Sequence, residues 1–157
     1  MPKITPFLWF DNNAEEAVNF YLSIFKDGTI LNVSRYGEGS PGTPGAAMLV
    51  TFELHGQELT ALNGGPYFKF TEAISLFVKC EDQAEVDWYW SKLTEGGEES
   101  QCGWLKDKYG LSWQIVPNAL GELLGGPNPA GAQRAMQAML SMRKLDVAAL
   151  QRAYDGE

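Results

Sequence analysis

The hydrophobic and polar positions fall into short, clearly bounded elements. Ile4 to Phe10 is an apolar run bounded by Pro2, Pro6 and Asp11, and it predicts a first strand. Asn13-Ala14-Glu15-Glu16 then predicts a helix start, with Asn13 as the cap and Glu16 at the reciprocal third position. Ala17, Phe20, Tyr21, Ile24 and Phe25 recur at helical spacing and predict a buried stripe. Gly28 is placed to end that helix in the left-handed conformation. Thr29 to Tyr36 alternates as a strand. Gly37 to Gly45 is a loop by composition, and its glycines lack the spacing of a dinucleotide or phosphate cradle. Ala47 to Leu54 and Glu58 to Leu62 predict a hairpin through His55-Gly56-Gln57.

A second round begins at Ala73. Ile74 to Val78 predicts a strand, and Asp82 with Glu85 caps a helix that carries Val86, Trp88, Tyr89 and Leu93. Shorter strands follow around Glu99 to Gln101, Gly103 to Lys106 and Leu111 to Val116, with a turn at Tyr109-Gly110. Asn118, Asn128-Pro129 and Asp146 mark the starts of three further helices. Met136, Met139, Leu140 and Arg143 keep helical spacing in that tail, as adaptable packing residues would.

The two rounds superpose at an offset of 68 residues. Leu8/Leu76, Trp9/Phe77, Phe10/Val78, Val18/Val86, Phe20/Trp88, Tyr21/Tyr89, Phe25/Leu93 and Gly28/Gly96 all match. The pattern predicts an α+β fold of two tandem βαβββ modules, at about 1–66 and 72–117, with a helical C-terminal extension over 118–157. Each module leaves one sheet face under its helix and the other bare. Two modules closing together would enclose a cleft between the bare faces, the natural place for a ligand.

Composition narrows the function. Among 157 residues, 12 are basic and 20 acidic, a formal charge of −8. That excludes the clustered Lys and Arg of a nucleic-acid binder and of a basic membrane-surface helix. No stretch approaches the about 20 apolar residues of a membrane span, and the N-terminus lacks the apolar run of a signal peptide. The two isolated cysteines, Cys80 and Cys102, read as reduced thiols, so a cytoplasmic location is expected. The single histidine, His55, lies in a turn and reads as a solvated surface residue, which removes the usual nucleophile–histidine arrangements. Cys102 has no histidine near it in sequence and reads as inert.

Four segments carry a resemblance. They are Thr5-Pro6-Phe7-Leu8-Trp9-Phe10-Asp11, Ala17-Val18-Asn19-Phe20-Tyr21, Ala61-Leu62-Asn63-Gly64-Gly65-Pro66-Tyr67-Phe68-Lys69-Phe70, and Gly103-Trp104-Leu105-Lys106-Asp107-Lys108-Tyr109-Gly110-Leu111-Ser112-Trp113-Gln114. With them the chain resembles the PhnB-like branch, labelled demethylubiquinone methyltransferase-like, of the glyoxalase or vicinal oxygen chelate superfamily. The resemblance implies a fold of the glyoxalase, bleomycin-resistance and dihydroxybiphenyl dioxygenase kind, and commonly a homodimer. It also implies metal-ligand positions on inward strand residues. These fall on Thr5, Thr60, Ala73 and Gln114, of which only the neutral Gln114 is a plausible ligand. The metal site is therefore expected to be degenerate, with no metal and no cofactor.

Strand parity places Phe7, Trp9, Thr60, Leu62, Ser75, Phe77 and Gln114 toward the cleft. That set suits an apolar or aromatic small molecule oriented by a few neutral polar groups. Trp104 and Trp113 read as core, and Lys106-Asp107-Lys108 as a solvated turn. The first reading is a metal-independent small-molecule-binding protein. The alternative is a metal-dependent lyase or dioxygenase-type enzyme. Methyl transfer finds no support in the sequence, because Asp11-Asn12-Asn13 is no glycine-rich turn for S-adenosylmethionine.

Overall fold

A computed structural model describes residues 2–157. The chain divides into two compact units, one ending at Phe70 and the other running Thr71–Glu157. The first contains β1 (Phe7–Phe10), α1 (Ala14–Ile24), β2 (Thr29–Arg35), β3 (Ala47–Leu54) and β4 (Gln57–Asn63). Its strands form one sheet in the order β1-β4-β3-β2, with β1 parallel to β4 and the other pairs antiparallel. The second unit repeats this plan with β5 (Ser75–Cys80), α2 (Gln83–Leu93), β6 (Glu98–Glu99), β7 (Trp104–Lys106) and β8 (Ser112–Pro117), in the order β5-β8-β7-β6. It ends in α3 (Asn118–Leu124), α4 (Pro129–Leu140) and α5 (Val147–Asp155). The two βαβββ modules and the helical tail agree with the α+β fold expected from the repeat. Among the described residues no helix is long and apolar enough to cross a membrane.

Each core forms between one helix and one sheet face. In the first unit Ala17, Val18 and Tyr21 of α1 are buried with Leu8, Phe10, Val50, Phe52, Leu59 and Ala61 of the sheet, and the Tyr21 and Phe52 rings stack at 6.4 Å. In the second, α2 packs on β5, β7 and β8, and Val86, Tyr89, Trp90 and Leu93 are buried with Leu105, Trp113 and Ile115. The tail closes a separate cluster of Leu120, Leu123, Ala135, Leu145 and Leu150, with Met139 and Met142 packed against it. Backbone bonds from Cys102 to Met142 and from Gly103 to Arg143, both 2.8 Å, tie the tail to its own unit.

The local signals mostly act as expected, with five differences, the first being that Asn118 is the opening residue of α3 after Pro117 and not its cap. Asp82, Asn128 and Asp146 cap their helices through side-chain oxygens that accept from Glu85, Gly131 and Ala149 N–H. Asn13 makes no such bond; the first N–H of α1, at Ala14, goes instead to Asn63 Oδ1 at 2.8 Å. Gly28 does not adopt a positive φ. A Cβ there would meet the Leu22 side chain and the Glu53 carbonyl, so close approach is what requires glycine. Trp90, not Trp88, fills the α2 stripe; Trp88 is half-exposed with the Lys92 ammonium 5.1 Å from its ring centre. Arg143 lies beyond the end of α4 at Leu140.

Candidate functional site

The site residues expected from parity lie on the sheet faces opposite α1 and α2. In the first unit the ladders align Phe7 with Thr60 and Thr51, and Trp9 with Leu62 and Leu49. Phe7 is 59% exposed, Trp9 and Leu62 are half-buried, and Thr60 is buried. The Thr60 and Thr51 hydroxyls approach to 3.4 Å, the cross-strand contact their pairing dictates. In the second unit the ladders align Phe77 with Gln114 and Trp104, and Ser75 with Ser112 and Lys106. Gln114 Nε2 donates to Ser75 Oγ at 2.9 Å, and Phe77 is 52% exposed. Phe7, Trp9, Thr60 and Leu62 thus share one face, and Ser75, Phe77 and Gln114 share another.

The ladders also correct one equivalence. Phe7 pairs with Thr60, and its repeat partner Ser75 pairs with Ser112. Thr60 therefore corresponds to Ser112, and Leu62 to Gln114. Counting from Gly56 and Gly110 slips by two, because β3 and β4 meet through two residues while β7 and β8 are joined by five. An even slip leaves the side chain on the same face, so Gln114 keeps its predicted orientation.

Trp9 is held from three directions. Its indole N–H donates to Gly65 O at 2.8 Å, Phe68 meets its ring edge-on at 4.8 Å, and Gly64 lies so close that any Cβ would collide with the ring. The Asn63-Gly64-Gly65 turn is thereby explained. Gly65 adopts a φ of 93°, and Gly64 and Gly65 N–H donate to Phe10 O and Asp11 O. Phe68 and Tyr67, 65% and 78% exposed, extend the aromatic surface and were not among the parity-derived residues. They follow β4, where strand alternation gives no signal.

Two further differences concern the β7–β8 connection. Asp107 is 2% exposed rather than solvated, and its carboxylate accepts from Tyr109 N–H, Leu111 N–H and the Trp113 indole N–H. Trp104 is half-buried on the face opposite α2, whereas Trp113 is core. Lys106 and Glu72 form an ion pair that raises the lysine pKa and lowers that of the glutamate.

With Leu62 in place of Thr60, the metal positions implied by the superfamily hold one hydroxyl, two aliphatic side chains and one neutral amide already bonded to Ser75. Those donors do not fit a divalent ion, which needs imidazole or carboxylate ligands. Among the described residues no group of three or more His, Cys, Asp and Glu could hold one.

The thiols differ sharply. Burial, and then the nearby Glu85 carboxylate, push Cys80 up to about 12, and the residue is fully buried; Cys102 is half-buried. Iodoacetamide at pH 8 is therefore expected to alkylate Cys102 and spare Cys80 in the folded protein. Peptide mapping that finds Cys80 modified first would contradict this.

Comparison with known proteins identifies the family. The family model described as 3-demethylubiquinone-9 3-methyltransferase matches residues 2–116. The chain belongs to this family. It is PhnB-like. A PhnB protein from Bacillus cereus is 41% identical, with 74% of this chain and 99% of that one covered and a TM-score of 0.69. Protein PA1353 from Pseudomonas aeruginosa, at 22% identity, covers 74% and 98% with a TM-score of 0.63. The fosfomycin resistance protein FosX from Listeria monocytogenes, solved with Mn(II), is 14% identical, covers 72% and 88%, and has a TM-score of 0.50. The last two likenesses concern the fold. No curated protein matches. The family match ends at Val116, so α3, α4 and α5 lie outside it.

The family's description names a methyl transfer, but this PhnB-like chain offers S-adenosylmethionine no glycine-rich turn after β1. That turn is Asp11-Asn12-Asn13, and the helix N–H it leads to is already taken by Asn63. Apart from the β1–β4 pair, the sheet is antiparallel. The residues present do not fit that cofactor.

Proposed function

We propose that this PhnB-like protein binds a flat apolar or aromatic small molecule, with no metal ion and no methyl transfer. The observation that carries this reading is the aromatic surface of the first unit, where Phe7 at 59% exposure stands beside the fixed Trp9 ring and Phe68 at 65%. A grouped set of exposed aromatics is an unusual feature of a monomer surface and marks a binding face. Phe77 beside the Gln114–Ser75 pair offers a second such place, with an amide to orient the ligand. The protein is expected to act in the cytoplasm as a homodimer.

The test is a panel of flat aromatic compounds read by tryptophan fluorescence, with metal analysis of the purified protein. A saturable change is expected, weakened about fivefold by Phe7→Ala, the scale of one lost aromatic contact. Phe7 is exposed, so this variant should unfold at the same denaturant concentration as the parent. No response across the panel would sink the reading. So would near-stoichiometric Fe, Mn, Zn or Ni that is lost on Gln114→Ala.

A further inference from the structure

The face opposite α2 also holds a pocket of about 170 Å³, lined by Glu72, Glu98, Glu99, Trp104, Lys106 and Ser112, with Ser100 and Leu105 completing it. A cavity of roughly 150 Å³ admits a benzene ring, so the space suits a small organic group. Two carboxylates, Glu72 and Glu98, lie on the side of the one ammonium, Lys106, while Glu99 pairs with Leu105 and turns toward α2. Glu72 is held by Lys106. Glu99 accepts from the Trp90 indole at 2.7 Å and lies 3.8 Å from Arg143. Glu98 sits opposite Lys106 in the β6–β7 ladder, beyond ion-pair distance but near enough to add to the rise in the lysine pKa.

A second observation points independently to a ligand. Ser112 is 1% exposed, and its Oγ has no hydrogen-bond partner among the described residues. It lines this pocket and pairs with Lys106 across the β7–β8 ladder. Buried hydroxyls are rarely left without a partner, so a missing donor or acceptor belongs here.

We propose that this pocket binds the protonated amine of a small organic molecule. The ammonium sits between Glu98 and Glu72 over the face of Trp104, and one of its N–H groups donates to Ser112 Oγ. In doing so it competes with Lys106 for Glu72. The site uses none of Phe7, Trp9 or Phe77, so it stands or falls separately from the aromatic-ligand reading.

The test is a ¹H–¹⁵N NMR titration of the full chain with butylammonium chloride at low salt, with sodium butyrate and butanol as size-matched controls. Saturable shifts are expected at the Trp104 indole and the Ser112 amide with butylammonium alone, shrinking as salt screens the site. Glu98→Gln should weaken binding about fivefold. Lys106→Met should strengthen it about threefold, because the competing cation is gone. Both side chains are solvent-accessible, and an unchanged spectrum outside the pocket checks that each variant folds. Equal or larger shifts with butyrate, loss of binding in Lys106→Met, no effect of Glu98→Gln, or no saturable shift with butylammonium would each overturn the proposal.

Discussion

Replacing Asn63 by alanine is expected to destabilise the protein by about 2–4 kcal/mol, whereas Asn13→Ala should cost less than about 0.5 kcal/mol. One Asn63 amide serves two elements. Its Oδ1 accepts from Ala14 N–H at 2.8 Å, and its Nδ2 donates to Ala47 O at 2.9 Å. Ala14 and Ala47 are both buried, so neither backbone group can turn to water once the amide is removed. The loss of the helix cap adds to the orphaned carbonyl. Asn13 stands at the start of α1 but makes no side-chain cap bond, so its removal leaves nothing unpaired there. Asn63→Asp should fall between the two, since the carboxylate keeps the acceptor for Ala14 and loses the donor to Ala47. Urea unfolding followed by circular dichroism measures all three, and the alanine variant's midpoint should fall by about 1–2 M. A larger cost for Asn13→Ala than for Asn63→Ala would refute this assignment of the cap.

That pair also shows what the sequence could and could not say. The tandem fold was legible because each unit's packing is local. Val18, Tyr21 and Phe25 reappear as Val86, Tyr89 and Leu93, and all six are buried. The faces presented by Phe7 and Trp9 in one unit and by Ser75 and Phe77 in the other were legible for a related reason, since alternation along a strand is fixed by backbone geometry. Contacts made across the chain were not. The acceptor for Ala14 N–H comes from a residue 49 positions away, while the adjacent Asn13 looks like an ordinary cap. The Thr60–Gln114 equivalence slipped because two turns of different length were counted as one kind. The pocket around Ser112 was missed because Lys106-Asp107-Lys108 has the composition of a solvated turn. Nothing local reveals that Lys106 reaches Glu72, which precedes β5, or that Asp107 turns inward.

Asp107→Ala should carry the other large penalty, about 3–5 kcal/mol. The carboxylate is the hub of the β7–β8 connection. Its Oδ1 accepts from Tyr109 N–H at 2.9 Å and Leu111 N–H at 3.1 Å, and its Oδ2 accepts from the Trp113 indole at 2.9 Å. Leu111 and Trp113 are each 2% exposed, so alanine would strand donors where water does not reach. Asparagine should cost less, about 1–3 kcal/mol. Its oxygen can still serve the two backbone N–H groups, but its NH2 then faces the indole N–H, donor against donor. Trp113→Phe removes that opposing donor. In a double-mutant cycle, Asp107→Asn with Trp113→Phe should therefore cost less than the two single changes added together. Additive costs would show that the indole contact contributes nothing, and a total cost for Asp107→Ala below about 1 kcal/mol would show that the turn does not depend on the carboxylate. The consequence reaches the pocket. This turn brings Lys106 opposite Ser112, so the pairing that sets the floor of the amine site depends on a buried aspartate that touches no ligand.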